Sequence, residues 1–225
     1  MSHEVIYQTL FVQTRGALER ELLKHLRTRR VTRKSKRAST AGQNRGMIKD
    51  LVSISERPAE ADDRAVPGHW EGDMVNGSKV NGSKQSYVAT LVERSTRFLL
   101  LLKLDGKDAN SVVVALTDGF RTLPAQLKRS LTWDRGPEMA DHVRFTIATD
   151  VRVYFCDPQA PWQRGTNENT NGLLRQYFPK GTDLNAFTQD DLDEIARKLN
   201  TRPRKTLGYQ TPAAMLAEAT VATTP

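Results

Sequence analysis

The chain has 225 residues, 38% apolar and 7% aromatic, which is enough for one sizeable core and a small appendage and is unlike any fibrous composition. Its formal charge of +8, with no apolar run longer than residues 98 to 102 and no charged-then-apolar amino terminus, excludes a membrane span and a signal peptide and points to nucleic acid as partner. A single cysteine, Cys156, excludes a disulfide framework and a cysteine-based zinc site, so the expected compartment is the reducing cytoplasm.

Along the chain, residues 5 to 26 carry apolar side chains at three- and four-residue steps and read as helical, with a break at Thr14-Arg15-Gly16. Residues 24 to 37 then hold eight Lys or Arg and no acid. This basic run reads either as a solvated linker or as a linker that also touches DNA through Lys24, Arg27, Arg30, Arg33 and Lys34. Apolar periodicity stays absent to about residue 65, apart from one short helical turn expected near residues 47 to 53. Residues 70 to 75, 87 to 92 and 98 to 104 read as three strands joined by polar turns, an antiparallel meander. Asp108 is a helix cap ahead of Val112, Val113, Leu116 and Phe120. A short strand at 131 to 133, a helix over 138 to 148, a strand at 151 to 155 and a helix over 163 to 177 follow. Further helices are expected near 190 to 199 and 212 to 218. Three strands followed by alternating helices and strands describe an α/β fold, a mixed sheet flanked by helices, which is the element order of the RNase H-like fold. The division is a helical segment over 1 to 26, a basic linker over 27 to 65 and a catalytic core over 66 to 220.

Three acids stand where this order brings distant parts of a chain together. Asp73 lies in or at the end of the first strand, Asp134 directly after the strand at 131 to 133, and Glu168 inside the 163 to 177 helix. Carboxylates that converge repel one another unless a cation neutralises them, and an all-oxygen site suits Mg²⁺ or Mn²⁺, here as a pair of ions. An aspartate after a strand is also an ordinary turn former or helix cap. The surroundings favour the metal site: Gly72 leaves room beside Asp73, and Gly136-Pro137 turns the chain just past Asp134. On the helix, Arg164, Asn167, Glu168, Asn171 and Arg175 share one face, opposite Leu173, Leu174 and Tyr177. Asn, Gln, Thr and Arg in place of Lys and Glu suit DNA contacts, the alternative being a solvated face.

The motifs Gly68-His69-Trp70-Glu71-Gly72-Asp73, Thr132-Trp133-Asp134-Arg135-Gly136-Pro137-Glu138-Met139 and Tyr154-Phe155-Cys156-Asp157-Pro158 resemble those of a known family. So do the whole stretch 161 to 181, which includes Asn167-Glu168-Asn169, and the stretch 199 to 208. They resemble the DDE transposases of bacterial insertion sequences of the IS-thirty type, over residues 3 to 217. The resemblance implies an RNase H-like integrase core with Asp73, Asp134 and Glu168 as catalytic and metal-binding residues, and a homo-oligomer on DNA. It implies DNA strand cleavage followed by strand transfer from the freed 3′-hydroxyl. The thirty-three residues between Asp134 and Glu168 are the interval such enzymes show, and Arg175 falls where they place a basic residue two turns after the glutamate.

One departure stands out. Residues 2 to 10 resemble only the last, recognition-type helix of the larger helix-turn-helix region such transposases carry, so the chain reads as truncated at its amino terminus. The alternative function is thus a catalytically silent DNA-binding or subunit-poisoning regulator. Of the remaining residues, His69 reads as structural or DNA-facing, Cys156 as buried in a strand, Trp133 as core, and Trp162 as either packed or stacking on a base.

Overall fold

The computed structural model describes residues 48–78 and 85–222. Five strands form one mixed sheet: β1 (His69–Asn76), β2 (Tyr87–Glu93), β3 (Leu99–Leu104), β4 (Ser130–Trp133) and β5 (Arg152–Phe155), in the order β3-β2-β1-β4-β5. β1, β2 and β3 pair antiparallel as a meander, while β4 and β5 add to the other side of β1 in parallel. The expected mixed sheet with flanking helices is therefore the observed one.

Strand alternation sorts the side chains onto two faces. One face buries Trp70, Ala89, Leu91, Leu131, Trp133, Val153 and Phe155 beneath α2 (Ala109–Arg121) and α3 (His142–Thr149), with Phe120 edge-on to both Trp70 and Phe145. The other buries Val75, Val88, Val92, Leu99 and Leu101 beneath α4 (Gly165–Leu174) and α5 (Gln189–Asn200). Asp108 caps α2 through the Ser111 N–H at 3.0 Å, and Thr188 with Asp191 makes a capping box on α5. A short α1 (Glu60–Asp63) precedes the sheet, and α6 (Pro212–Ala222) ends the described chain.

Three boundaries differ from the sequence reading. The helix expected over 138 to 148 is a 3-10 turn at Pro137–Met139 followed by α3. The helix expected over 163 to 177 begins at Gly165 after a 3-10 turn at Pro161–Arg164 and ends at Leu174. It stops there because successive turns carry Phe178 inward against Phe187, at a ring separation of 5.2 Å. In the stretch read as linker, residues 48 to 65 pack on the core. Ile48 is buried, Ser53 bridges to Phe155, and Arg57 donates to the Thr132 hydroxyl at 3.0 Å. The expected helical turn near 47 to 53 falls instead at the 3-10 turn Ile54–Glu56. The helix read over 5 to 26 and the basic residues Lys24, Arg27, Arg30, Arg33 and Lys34 lie outside the described residues.

Candidate active site

Pairing between β1 and β4 sets the first two acids together. His69 lies beside Ser130 and Glu71 beside Thr132, so the same register continued two residues brings Asp73 level with Asp134. Both stand just past the paired stretch of β1 and β4, where the two chains part, while β1 stays paired with β2 through Asp73 and Thr90. Asp73 Oδ1 accepts from the Met74 N–H at 2.9 Å, and Asp134 Oδ1 accepts from the Gly136 N–H at 2.9 Å. These backbone donors fix each carboxylate locally, Asp73 within its strand and Asp134 in the turn that follows β4.

Arg164 joins them. Its Nη1 is 3.1 Å from Asp73 Oδ1 and 2.8 Å from the Gly72 carbonyl oxygen, and its Nη2 is 3.4 Å from Asp134 Oδ2. Burial works against the guanidinium charge, but the carboxylates of Asp73 and Asp134 overcome it and raise the Arg164 pKa. Asp73 Oδ2 also accepts from Asn171 Nδ2 at 2.9 Å, and Asn171 Oδ1 is buried without a partner.

A fourth carboxylate, which the sequence reading did not single out, adjoins Asp134. Glu138 accepts from Trp133 Nε1 at 3.2 Å, and its pKa is raised, first by burial and then by the charge and hydrogen bond of Asp134. Its position four residues past Asp134, after a Gly-Pro turn, was the available signal.

The third expected acid, Glu168, is exposed on α4. Among the described residues no three of histidine, cysteine, aspartate and glutamate come together as a ligand cluster, and the space between Asp73 and Asp134 holds the Arg164 guanidinium. The residue before Glu168, Asn167, fastens α4 to the sheet. Asn167 is fully buried and uses every polar group it has. Its N–H donates to Glu71 Oε2 at 3.0 Å, its Nδ2 to the carbonyls of Glu71 and Thr90 at 2.8 and 3.1 Å, and its Oδ1 accepts from the Thr90 hydroxyl at 3.0 Å. Glu71 in turn accepts from Arg94 Nη1 at 2.7 Å in a buried pair.

The polar helix face thus divides into separate roles. Asn167, expected to contact DNA, is instead a pin between helix and sheet, because its position faces β1 and β2 rather than solvent. Arg164 and Asn171 face the aspartates. Arg175, one residue past the end of α4, lines a cavity of about 260 Å³ with Asn76, Phe178 and Lys180. Trp162 is 73% exposed, so it is free to stack. His69 is buried between Ser130 and Glu60, its pKa lowered chiefly by burial, which makes it structural. Burial pushes the Cys156 thiol up to about 11, so it is no nucleophile at neutral pH. Gly72 makes room for the ring of Trp133, which a Cβ there would meet at 2.1 Å, on the sheet face opposite Asp73.

A five-stranded sheet of this order, with two aspartates level at the end of its parallel pair, belongs to a recognised class. Residues 63–161 match the integrase core domain family. In fold the chain resembles BIV integrase catalytic core (TM-score 0.51, 16% identity, 69% of this chain and 97% of that one). It also resembles a chain of the simian T-cell lymphotropic virus intasome in complex with PP2A regulatory subunit B56 gamma (TM-score 0.53, 19% identity, 65% and 53%). Residues 63–161 thus resemble an integrase core domain, and the fold is that of integrase catalytic cores, the RNase H-like fold.

In sequence the chain is similar to transposases of IS30-type insertion sequences. It is 52% identical over 214 residues to transposase InsI for insertion sequence element IS30C of Escherichia coli K12, covering 94% of this chain and 54% of the relative. It is 50% identical to the transposase for IS1086 of Cupriavidus metallidurans, covering 97% of this chain and 62% of the relative. The transposase for IS4351 of Bacteroides fragilis is 38% identical over 94% of this chain and 62% of its own length. The chain therefore spans between about half and two thirds of the relatives it matches.

Proposed function

We propose that this chain is the catalytic part of an IS30-type transposase, which cleaves DNA at an insertion-sequence end and joins the freed 3′ end to a second strand. Asp73, Asp134 and Glu168 would hold a pair of Mg²⁺ or Mn²⁺ ions. The observation that carries the reading is the meeting of Asp73 and Asp134, from strands far apart in sequence, on one shared cationic group. Two carboxylates that share an edge only with a cation between them make a seat for a hard ion, and the donors there are all oxygen. Asn171 Oδ1, buried and unpartnered beside Asp73, adds one more. Bound at this seat, such ions supply Lewis acidity to the attacking water or 3′-hydroxyl and to the leaving oxygen of the phosphodiester.

The residues of the chain supply position. Backbone N–H groups of Met74 and Gly136 orient the two aspartates, and Asn167 fastens the helix that carries Glu168. Arg175 and Lys180 line the cavity just past β1, where a strand leaving the site would find cations for its phosphates. Trp162 offers an exposed ring to an unpaired base. DNA ends and target are the proposed partners, and the working form is a homo-oligomer on DNA.

Nicking of supercoiled plasmid by the purified chain tests the reading. Nicks are expected only with Mg²⁺ or Mn²⁺, and Asp134→Asn is expected to reduce the rate by about a hundredfold or more while leaving the circular dichroism unchanged. Undiminished nicking in excess chelator, or by the Asn variant, overturns it.

A further inference from the structure

We propose that Arg164 is an exchangeable counter-cation, filling the seat between Asp73 and Asp134 until a divalent ion displaces it and thereby setting the metal affinity of the site. The proposal rests on the metal reading of Asp73 and Asp134 given above. It concerns what must leave the seat before an ion can enter.

The two occupants exclude one another by size. A Mg²⁺ ion sits roughly 2.0–2.1 Å from each coordinating oxygen. The guanidinium nitrogens stand 3.1 and 3.4 Å from one oxygen of each aspartate, within the space an ion shared by the two carboxylates needs. Charge makes the same point: the guanidinium lies against both carboxylates, so the pair and the guanidinium stabilise each other. Removing Arg164 without replacement leaves two carboxylates facing each other, which is unfavourable. Removing it as an ion enters keeps the charge balanced. The exchange therefore costs the contacts of Arg164, including that to the Gly72 carbonyl, and this cost is subtracted from the affinity for metal.

The backbone gives Arg164 a way out. It is the last residue of a 3-10 turn and precedes α4, with φ −120° and ψ 37°, a conformation of neither helix. On either side the junction is open: Trp162 is 73% exposed, and a Cβ added at Gly165 would meet nothing within 4 Å. The side chain can swing outward without disturbing Asn167, which carries the helix-to-sheet bonds.

Calorimetric titration of Mn²⁺ into the full 225-residue chain tests the exchange without reference to activity. Arg164→Gln is expected to bind Mn²⁺ about tenfold more tightly than the parent, the scale of losing two partly exposed ion pairs. Arg164→Lys, whose compact head reaches only one carboxylate at a time, is expected to bind more tightly by a smaller factor. In chelator the Gln variant is expected to melt below the parent and to recover with Mn²⁺. Asp73→Asn is the reference. If Asp73→Asn weakens Mn²⁺ binding but neither Arg164 variant strengthens it, the exchange is overturned and the metal site stands. If Asp73→Asn leaves Mn²⁺ binding unchanged, the metal site itself is overturned. Should Arg164→Gln fail to fold even with Mn²⁺, the Lys variant decides alone.

Discussion

Asn167 and Glu168 are adjacent and both polar, yet one is fully buried and the other exposed. The difference follows from the helix turn: 100° of rotation between neighbours points Asn167 at the carbonyls of Glu71 and Thr90 and leaves Glu168 outward. An exposed acid gains its orientation from the residue beside it. Asn167→Ala removes three side-chain hydrogen bonds and leaves two buried carbonyls short of a partner, a loss on the order of 2–3 kcal/mol. Urea unfolding is expected to show that loss while Mn²⁺ affinity at Asp73 changes little, and plasmid nicking is expected to fall tenfold or more because Glu168 loses its position. Nicking at the parent rate in a destabilised variant would make Asn167 a stability residue only. The buried Glu71–Arg94 pair supports the same fastening from below, with burial lowering the Arg94 pKa and Glu71 offsetting part of it.

Between elements, the close contact is that of β1 with β4. Gly72 faces the ring of Trp133, where a methyl group would lie 2.1 Å from a ring carbon, whereas Gly172 on α4 has nothing within 4 Å. Gly72→Ala is expected to cost about 2–4 kcal/mol, since a core tryptophan must move and with it the strand carrying Asp134. Gly172→Ala is expected to stabilise by about 0.5–1 kcal/mol through helix propensity. Equal midpoints in urea for the two variants would contradict this account of the β1–β4 packing. The sequence already displayed the strands, their order and the Asp108 cap, because these follow from local alternation and local hydrogen bonds. Convergence of Asp73 with Asp134 was legible from the element order alone. The partnership of Arg164 with both was not, because it depends on the parallel register and on a 3-10 turn that sequence reading took for the start of a helix. Nor was the docking of residues 48 to 65, which hold on through backbone and ion-pair contacts such as Phe155 N–H to the Val52 carbonyl and leave no apolar period to read. The small size of Gly72 serves the Trp133 ring on the other face of the strand and makes no room beside Asp73.

For the whole molecule, helices cover both faces of the sheet, and Asp73 on the central strand β1 faces Arg164 and Asn171 beside Asp134, with the Arg175 cavity further along β1. The net charge of +8 acts at longer range, favouring a polyanion without reading its sequence. Each phosphate contact on duplex DNA contributes about −0.9 to the slope of log affinity against log salt. If Lys24, Arg27, Arg30, Arg33 and Lys34 each meet a phosphate, replacing all five by Gln is expected to reduce the magnitude of the slope by about 4 to 5. Arg175→Ala is expected to reduce it by about 1, as a single contact beside the site. Fluorescence anisotropy with a duplex of arbitrary sequence, between low and physiological salt, measures both. An unchanged slope in the fivefold variant would assign the basic run to solvent. An unchanged slope in Arg175→Ala would leave Lys180 as the remaining cation at that cavity, and the proposed strand path would then have to run elsewhere. Because each phosphate contact contributes its own share to the slope, the effects of the two sets are expected to add.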